Sequence, residues 1–249
     1  MLSRRRLTLT LAGLLAAGGA LALDDEPLLW VSGEVPPFLS RGAHGPQGYA
    51  FDLYQRVCRQ AELDGELRFY PWARAMRMLT SRQAQVGLVV ARSPDREARF
   101  QWLFPVGNFH LAAFTRPEDG PTQTEFEALR SRRVGSLRAS ASRELLASAG
   151  MTNVVEAKDY PELLALLQRR VVDVVIGPEH VMRSLLADQH PSPPPRSTVL
   201  DRSLHLYAAG GPALPEDVRH RLIAAYQQLV DNGTVAQLKK RHPDAFFDD

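Results

Sequence analysis

The sequence predicts an α/β fold with two lobes, each a mostly parallel sheet flanked by helices. Short apolar segments alternate with longer amphipathic segments, a pattern typical of βαβ units. The alternation occurs twice, over residues 28–99 and over residues 133–188. Between these runs, residues 117–124 are rich in proline, glycine and threonine and mark a break in composition.

The first run starts with an apolar strand, continues through a loop rich in glycine and proline, and ends on a short helix that begins at a proline. Its longest helix is indicated by Phe51, Tyr54, Val57 and Cys58, which recur at helical spacing. The predicted elements are a strand at 28–32, a loop at 33–48, a helix at 49–62, a strand at 66–70, a helix at 71–81, a strand at 86–91 and a helix at 94–99.

The second run repeats the alternation and is followed by a proline-rich surface loop at residues 190–195. Asn232-Gly233 is a typical stop for the long amphipathic helix near the end of the chain. The predicted elements are strands at 133–137, 153–156 and 171–176, helices at 142–149, 160–169 and 179–188, a strand at 203–209 and a helix at 215–232.

The N-terminus has the layout of a secretory signal peptide. Three arginines at positions 4–6 precede an uncharged stretch over residues 7–21, and Ala20-Leu21-Ala22 gives a small-x-small cleavage pattern. The apolar stretch is shorter than the roughly 20 residues that a transmembrane helix needs. We therefore predict that residues 1–22 are a cleavable signal peptide; an uncleaved N-terminal anchor is the alternative.

The positive net charge belongs to this N-terminal segment. The chain has 30 Lys and Arg against 28 Asp and Glu, a net charge of +2. Loss of the three arginines would leave −1, so the charge balance does not call for nucleic acid as a partner. The single cysteine, Cys58, lies on the predicted helix, where we expect a buried, inert thiol. No HExxH, CxxC or close histidine pair occurs, so neither a metal nor a cofactor is expected.

Four segments of the sequence form a distinctive series in their order and spacing. They are Val35-Pro36-Pro37-Phe38 with Gly48-Tyr49-Ala50-Phe51-Asp52-Leu53, then Tyr70-Pro71-Trp72-Ala73-Arg74-Ala75, then Ser93-Pro94-Asp95-Arg96 with Phe100-Gln101-Trp102-Leu103-Phe104-Pro105, and the tail at 206–241. The series resembles the bacterial extracellular solute-binding proteins of family 3, the polar amino-acid-binding type, over nearly all of the chain after residue 22.

The resemblance implies a periplasmic-binding-protein-like fold, with lobe one formed by residues 23–112 and 210–249 and lobe two by residues 115–204. The chain would cross between the lobes near residues 110–115 and 205–209, which would let them hinge around a ligand. It further implies a monomeric periplasmic protein, not an enzyme, that captures a small polar solute for an ABC-type permease in the inner membrane. No membrane span is expected in the mature chain.

Arg96 is the strongest candidate for a ligand-binding residue. The sequence Ser93-Pro94-Asp95-Arg96 is typical of a helix start, where free backbone N–H groups favour an anion. The planar guanidinium pairs with a carboxylate, and in the resembled family the matching arginine binds the ligand's α-carboxylate. A carboxylate-bearing solute, an amino acid or a related compound, is therefore expected. The alternative is a surface arginine paired with Asp95 or Glu97, and Ser93 either caps the helix or contacts ligand.

Three further residues are candidates through the resemblance. Trp72 opens a predicted helix directly after a strand, where its indole would line the cleft or pack in the core. Phe38, on a loop after two prolines, has the same two interpretations. Ser140 follows the strand at 133–137 and would close on the ligand from lobe two, or cap the helix that follows.

The sequence departs from the family at the position that holds a ligand ammonium. Amino-acid binders carry an aspartate after the strand that is predicted here at 171–176, whereas this chain has Pro178. Glu179, one residue along, is the candidate substitute. Two other functions stay open: an enzyme on the same scaffold, similar to cyclohexadienyl dehydratase, and a periplasmic ligand sensor.

Overall fold

The computed structural model describes residues 27–120, 126–190 and 192–246. The predicted signal peptide at residues 1–22 lies outside these ranges. Within them, no helix is both long enough and apolar enough to cross a membrane.

The described chain alternates strands and helices in the order that the sequence predicts. The strands are β1 (Leu28–Ser32), β2 (Ser40–Gly42), β3 (Gly45–Gln47), β4 (Gly65–Phe69), β5 (Val86–Ala91), β6 (Gln101–Thr115), β7 (Val134–Leu137), β8 (Val154–Ala157), β9 (Val174–Pro178) and β10 (Arg196–Gly210). The α-helices are α1 (Tyr49–Gln60), α2 (Trp72–Thr80), α3 (Ala141–Ser148), α4 (Tyr160–Gln168), α5 (Glu179–Gln189), α6 (Glu216–Asp231) and α7 (Thr234–Arg241).

Eight strands form one continuous sheet in the order β4–β1–β5–β10–β6–β9–β7–β8. At one end β1 pairs in parallel with β4 and β5, and at the other β7 pairs in parallel with β8 and β9. Between them lie β6 and β10, which are 15 residues long each and antiparallel to one another. The two-lobed α/β fold is therefore confirmed, with α1, α2, α6 and α7 packed in lobe one and α3, α4 and α5 in lobe two.

Apolar side chains at helical spacing explain why the helices form and which faces they bury. On α1, Tyr49, Leu53 and Val57 are buried on one face. They join the lobe-one core, where the ring of Trp30 packs edge-on against Tyr54 at a centroid distance of 5.0 Å. Burial raises the pKa of the Cys58 thiol in this core to about 12, which keeps the thiol protonated and unreactive.

Three elements differ from the sequence prediction. The residue pattern did not predict β6, because Pro105 and Gly107 interrupt it, and the resemblance implied only a crossing strand near residues 110–115. Pro105 is tolerated where the register between β6 and β10 shifts, since a bulge needs no hydrogen bond from that nitrogen. The predicted loop at 33–48 contains the β2–β3 hairpin, and the short helix predicted at 94–99 is a single 3₁₀ turn, Pro94–Arg96.

Candidate functional site

A cavity of about 560 Å³ lies between the two lobes. The carboxyl ends of parallel strands are where ligands bind in open α/β sheets, because loops of different strands converge there. Residues at the carboxyl ends of all six parallel strands line the cavity. They are Glu34 after β1, Tyr70 and Trp72 after β4, Ala91 of β5, Ser140 after β7, Tyr160 after β8 and Pro178 of β9.

The guanidinium of Arg96 is fully buried at the edge of this cavity. Its Nε donates to Glu144 Oε2 at 2.7 Å, and its Nη2 donates to the carbonyl of Ala139 at 2.8 Å. Its Nη1 donates to the carbonyl of Ala91 at 3.3 Å. Each nitrogen of the guanidinium therefore has an acceptor in the protein, and two of the three acceptors belong to lobe two.

Glu144 presents its carboxylate to lobe one from the first turns of α3. Its Oε1 lies 3.4 Å from Arg99 Nη1, and Ser148, four residues further along the same helix face, donates to Asp95 Oδ2 at 3.0 Å. These contacts join one face of α3 to the segment that carries Arg96. Asp95, Arg96 and Arg99 of lobe one thus contact Glu144 and Ser148 of lobe two.

The carbonyl of Ala139 holds a second contact between the lobes. It accepts from Arg96 and also from Trp72 Nε1, at 3.0 Å. Ala139 has a φ of 57°, in the left-handed region that residues other than glycine adopt at a cost of roughly 1–2 kcal/mol. The turn after β7 therefore points this carbonyl at lobe one in spite of local strain.

Three of the six sequence-predicted residues, Trp72, Arg96 and Ser140, line the cavity. Ser140 is also the N-cap of α3: its Oγ accepts from the backbone N–H of Arg143 at 3.1 Å and lies 2.8 Å from Ser142 Oγ. Ser93 is buried behind the 3₁₀ turn and leaves it uncapped, and its hydroxyl has no hydrogen-bond partner among the described residues.

Like Ser93, the predicted residues Phe38 and Glu179 lie away from the cavity wall. Phe38 is fully buried in the lobe-one core, where its ring meets Phe246 edge-on at 6.1 Å. Glu179 begins α5 and pairs with Arg183 at 2.8 Å, as expected for an i, i+4 pair on a helix. Pro178, immediately before it, does line the cavity and offers no side-chain partner for an amine.

Several residues of the site were missed by sequence reasoning. Glu144 and Ala139 lie on a helix and a turn without any motif that marks them. Val89 lines the cavity with a φ of 63°, a conformation rare for a β-branched residue, which no sequence pattern indicates. Tyr160 gave a usable signal, since it lies three residues beyond the end of β8 and starts α4 after the capping Asp159.

Charged groups of both signs lie at the rim of the cavity. Glu34 and Arg41 approach to 3.7 Å, and both are well exposed. Lys158 and Asp159 also line the cavity, and Asp159 accepts from the backbone N–H of Glu162 at 2.8 Å. In the part of the chain that the structure describes, no group of three or more His, Cys, Asp or Glu is placed to hold a metal ion.

Comparison with known families gives one match that spans most of the chain. The family model for bacterial extracellular solute-binding proteins, family 3, matches residues 29–244. No individual curated protein matches the sequence significantly.

Solved structures share the fold at low sequence identity. A histidine kinase sensor domain with similarity to periplasmic binding proteins superposes with a TM-score of 0.79 at 18% identity, over 87% of this chain and 96% of its own. The arginine-, lysine-, histidine-binding protein ArtJ from Geobacillus stearothermophilus gives 0.74 at 15% identity, over 87% and 95%. The ligand-binding core of GluR0 from Nostoc punctiforme, in complex with L-glutamate, gives 0.72 at 19% identity, over 88% and 100%.

Proposed function

We propose that this chain, which belongs to the bacterial extracellular solute-binding proteins of family 3, captures a small polar solute in the cavity between its lobes. The observation that carries the proposal is the cavity of about 560 Å³, walled by the carboxyl ends of parallel strands from both lobes. This volume is within the range of roughly 300–1,000 Å³ that small-molecule sites occupy.

Trp72 and Ser140 face a solute from opposite lobes in this proposal. The indole ring of Trp72 offers an apolar face for stacking, while its Nε1 stays bonded to the Ala139 carbonyl. The Tyr160 side chain adds an aromatic surface and a hydroxyl from lobe two, and burial keeps that hydroxyl protonated by raising its pKa. The solute is thus enclosed by aromatic rings and hydroxyl groups from both sides.

Opening and closing of the lobes would occur on the two crossing strands. Residues 111–114 of β6 pair with β9 of lobe two, whereas residues 206–210 of β10 pair with β5 of lobe one. We propose residues 23–112 with 210–249 and residues 115–204 as the two moving units, since hinges need few residues where strands cross.

The biological setting follows from the family's extracellular character. We propose export through a signal peptide at residues 1–22, a periplasmic location and delivery of the solute to an ABC-type permease by a monomeric protein. Mass spectrometry of the protein from a periplasmic fraction tests the export step. The expected mass lacks residues 1–22, and a full-length mass in that fraction would contradict cleavage.

Thermal-shift screening of the mature chain, from residue 23 onward, tests solute capture. The panel contains amino acids, amino-acid amides, diacids, polyamines and opines, because the compounds named for the similar structures are amino acids. A solute at about 100 times its Kd adds roughly 2.7 kcal/mol to the free energy of unfolding. For a chain of this size, that raises Tm by roughly 5–11 °C.

Trp72→Ala is expected to weaken binding of the solute found in the screen by about tenfold or more, since it removes one wall of the cavity. Phe51→Ala, which truncates an aromatic residue on α1 outside the cavity, is the matched control. Equal affinity of the two variants would contradict the site. NMR is used to follow whether a screened compound is consumed. Consumption would favour an enzymatic function over solute capture.

A further inference from the structure

The ion pair between the buried Arg96 and the partly buried Glu144 places a carboxylate of the protein where a solute's carboxylate was expected. The guanidinium has no exposed surface, so no solute atom touches it in this arrangement. Its three nitrogens already donate to Glu144 Oε2 and to two backbone carbonyls. A second carboxylate would have to displace Glu144 or lie beside it without a cation of its own.

Displacement of Glu144 is opposed by the way that α3 is held. The helix is capped by Ser140, and Arg99 and Ser148 tie the same face to lobe one on either side of the pair. A solute carboxylate that took this place would leave the partly buried Glu144 beside a second negative charge, with the exposed Arg99 as its remaining partner. In this arrangement of the lobes, Glu144 is therefore held beside Arg96 by contacts on both sides of the pair.

The remaining charges of the cavity provide no replacement anion site. Arg41 lies beside Glu34 at the rim, and Lys158 is exposed next to Asp159. Arg96 is neutralised by Glu144, so the cations left at the wall are Arg41 and Lys158, both exposed to solvent, where an ion pair contributes little. The rest of the surface that meets the solute consists of rings, aliphatic groups and hydroxyls.

We propose that Glu144 is a specificity-determining residue: by occupying Arg96 it excludes carboxylates, so that the cavity takes solutes without a free carboxylate. This inference rests on the proposed function for the identity of the solute. Whether Glu144 fills the anion site at Arg96 can be tested without any solute. The inference replaces the sequence-based expectation of a carboxylate-bearing ligand bound through Arg96.

Chemical rescue with acetate tests the occupancy. Glu144→Ala leaves a space beside Arg96 that acetate fits, so sodium acetate should raise the Tm of this variant relative to sodium chloride at equal concentration. Without acetate the variant should melt roughly 6–20 °C below the parent protein. Acetate is expected to restore about half of that loss and to leave the parent protein unchanged, because its anion site is filled.

Glu156→Ala is the matched control, since Glu156 pairs with Arg138 and Arg143 in lobe two and lies outside the cavity. Acetate should not raise its Tm. If Glu144→Ala does not fold, Glu144→Ser replaces it with the same expectation. Equal effects of acetate on the parent protein and the Glu144 variant, or no effect on either, would overturn the proposal.

Matched probes on the unmodified mature chain test the solute class. L-leucine and L-leucinamide, and L-phenylalanine and L-phenylalaninamide, differ at the carboxylate alone. For any pair that binds, the amide is expected to bind at least about tenfold more tightly, and tighter binding of the acid would overturn the inference while leaving solute capture intact. If nothing in the full panel binds, the proposed function fails, and the acetate result still decides the role of Glu144.

Discussion

The buried imidazole of His180 makes the stability of this protein depend on pH below neutrality. His180 is the second residue of α5 and is 6% exposed. Burial lowers its pKa from 6.5 to about 4; Glu179 opposes this shift, and His110 and Arg183 add to it. The folded protein therefore prefers the neutral imidazole, whereas the unfolded chain binds a proton near pH 6.5.

The sign and size of the effect follow from proton linkage. Between pH 6.5 and about 4 the unfolded state binds more protons than the folded state, so the free energy of unfolding falls as the pH falls. The stabilisation is fully present above the unfolded pKa. With these two pKa values, lowering the pH from 7 to 5 removes about 2 kcal/mol through this one group.

Urea unfolding at pH 7, 6 and 5, with the parent protein and His180→Gln, measures this contribution. Glutamine keeps a polar side chain of similar size but does not titrate. The parent protein should lose about 2 kcal/mol more than the variant over this interval, the other titrating groups being common to both. Parallel pH profiles for the two proteins would refute the assignment of a depressed pKa to His180.

Two further predictions concern single side chains. The Cys58 thiol should resist labelling by a disulfide reagent in the folded protein at pH 8 and react in urea, since burial raises its pKa to about 12; fast labelling without denaturant would contradict its burial. Trp72→Phe removes the donor to Ala139 O and should lower the free energy of unfolding by about 1 kcal/mol. This loss is read from urea unfolding, and an unchanged midpoint would show that the bond adds no net stability.

The fold was predictable from sequence because its signals are local. Apolar runs such as Val86–Ala91 and the helical spacing on Tyr49–Gln60 depend on neighbours a few residues apart. β6 was missed for the same reason, since Pro105 breaks the local pattern and the strand is stabilised by pairing with β10 almost a hundred residues later in the chain. Long-range pairing therefore decides what local propensity leaves open.

The site was less predictable, because its decisive contact joins distant residues. Arg96 lies at the edge of the cavity, but its partner Glu144 lies 48 positions further on, in a helix start without a motif. Phe38 could not be separated from a core residue by sequence, since an aromatic after two prolines suits either place. The family pattern predicts where a side chain lies more reliably than it predicts which residue that side chain contacts.

The course of the chain through β6 and β10 has a consequence for the order of folding. All elements from β7 to α5 lie between these two strands, so lobe two is contiguous in the sequence, while lobe one takes α6 and α7 from the end of the chain. During synthesis lobe two can complete its core before the residues of α6 that cover α1 have emerged. The apolar face of α1 thus stays without its partner helices until the last part of the chain has been synthesised.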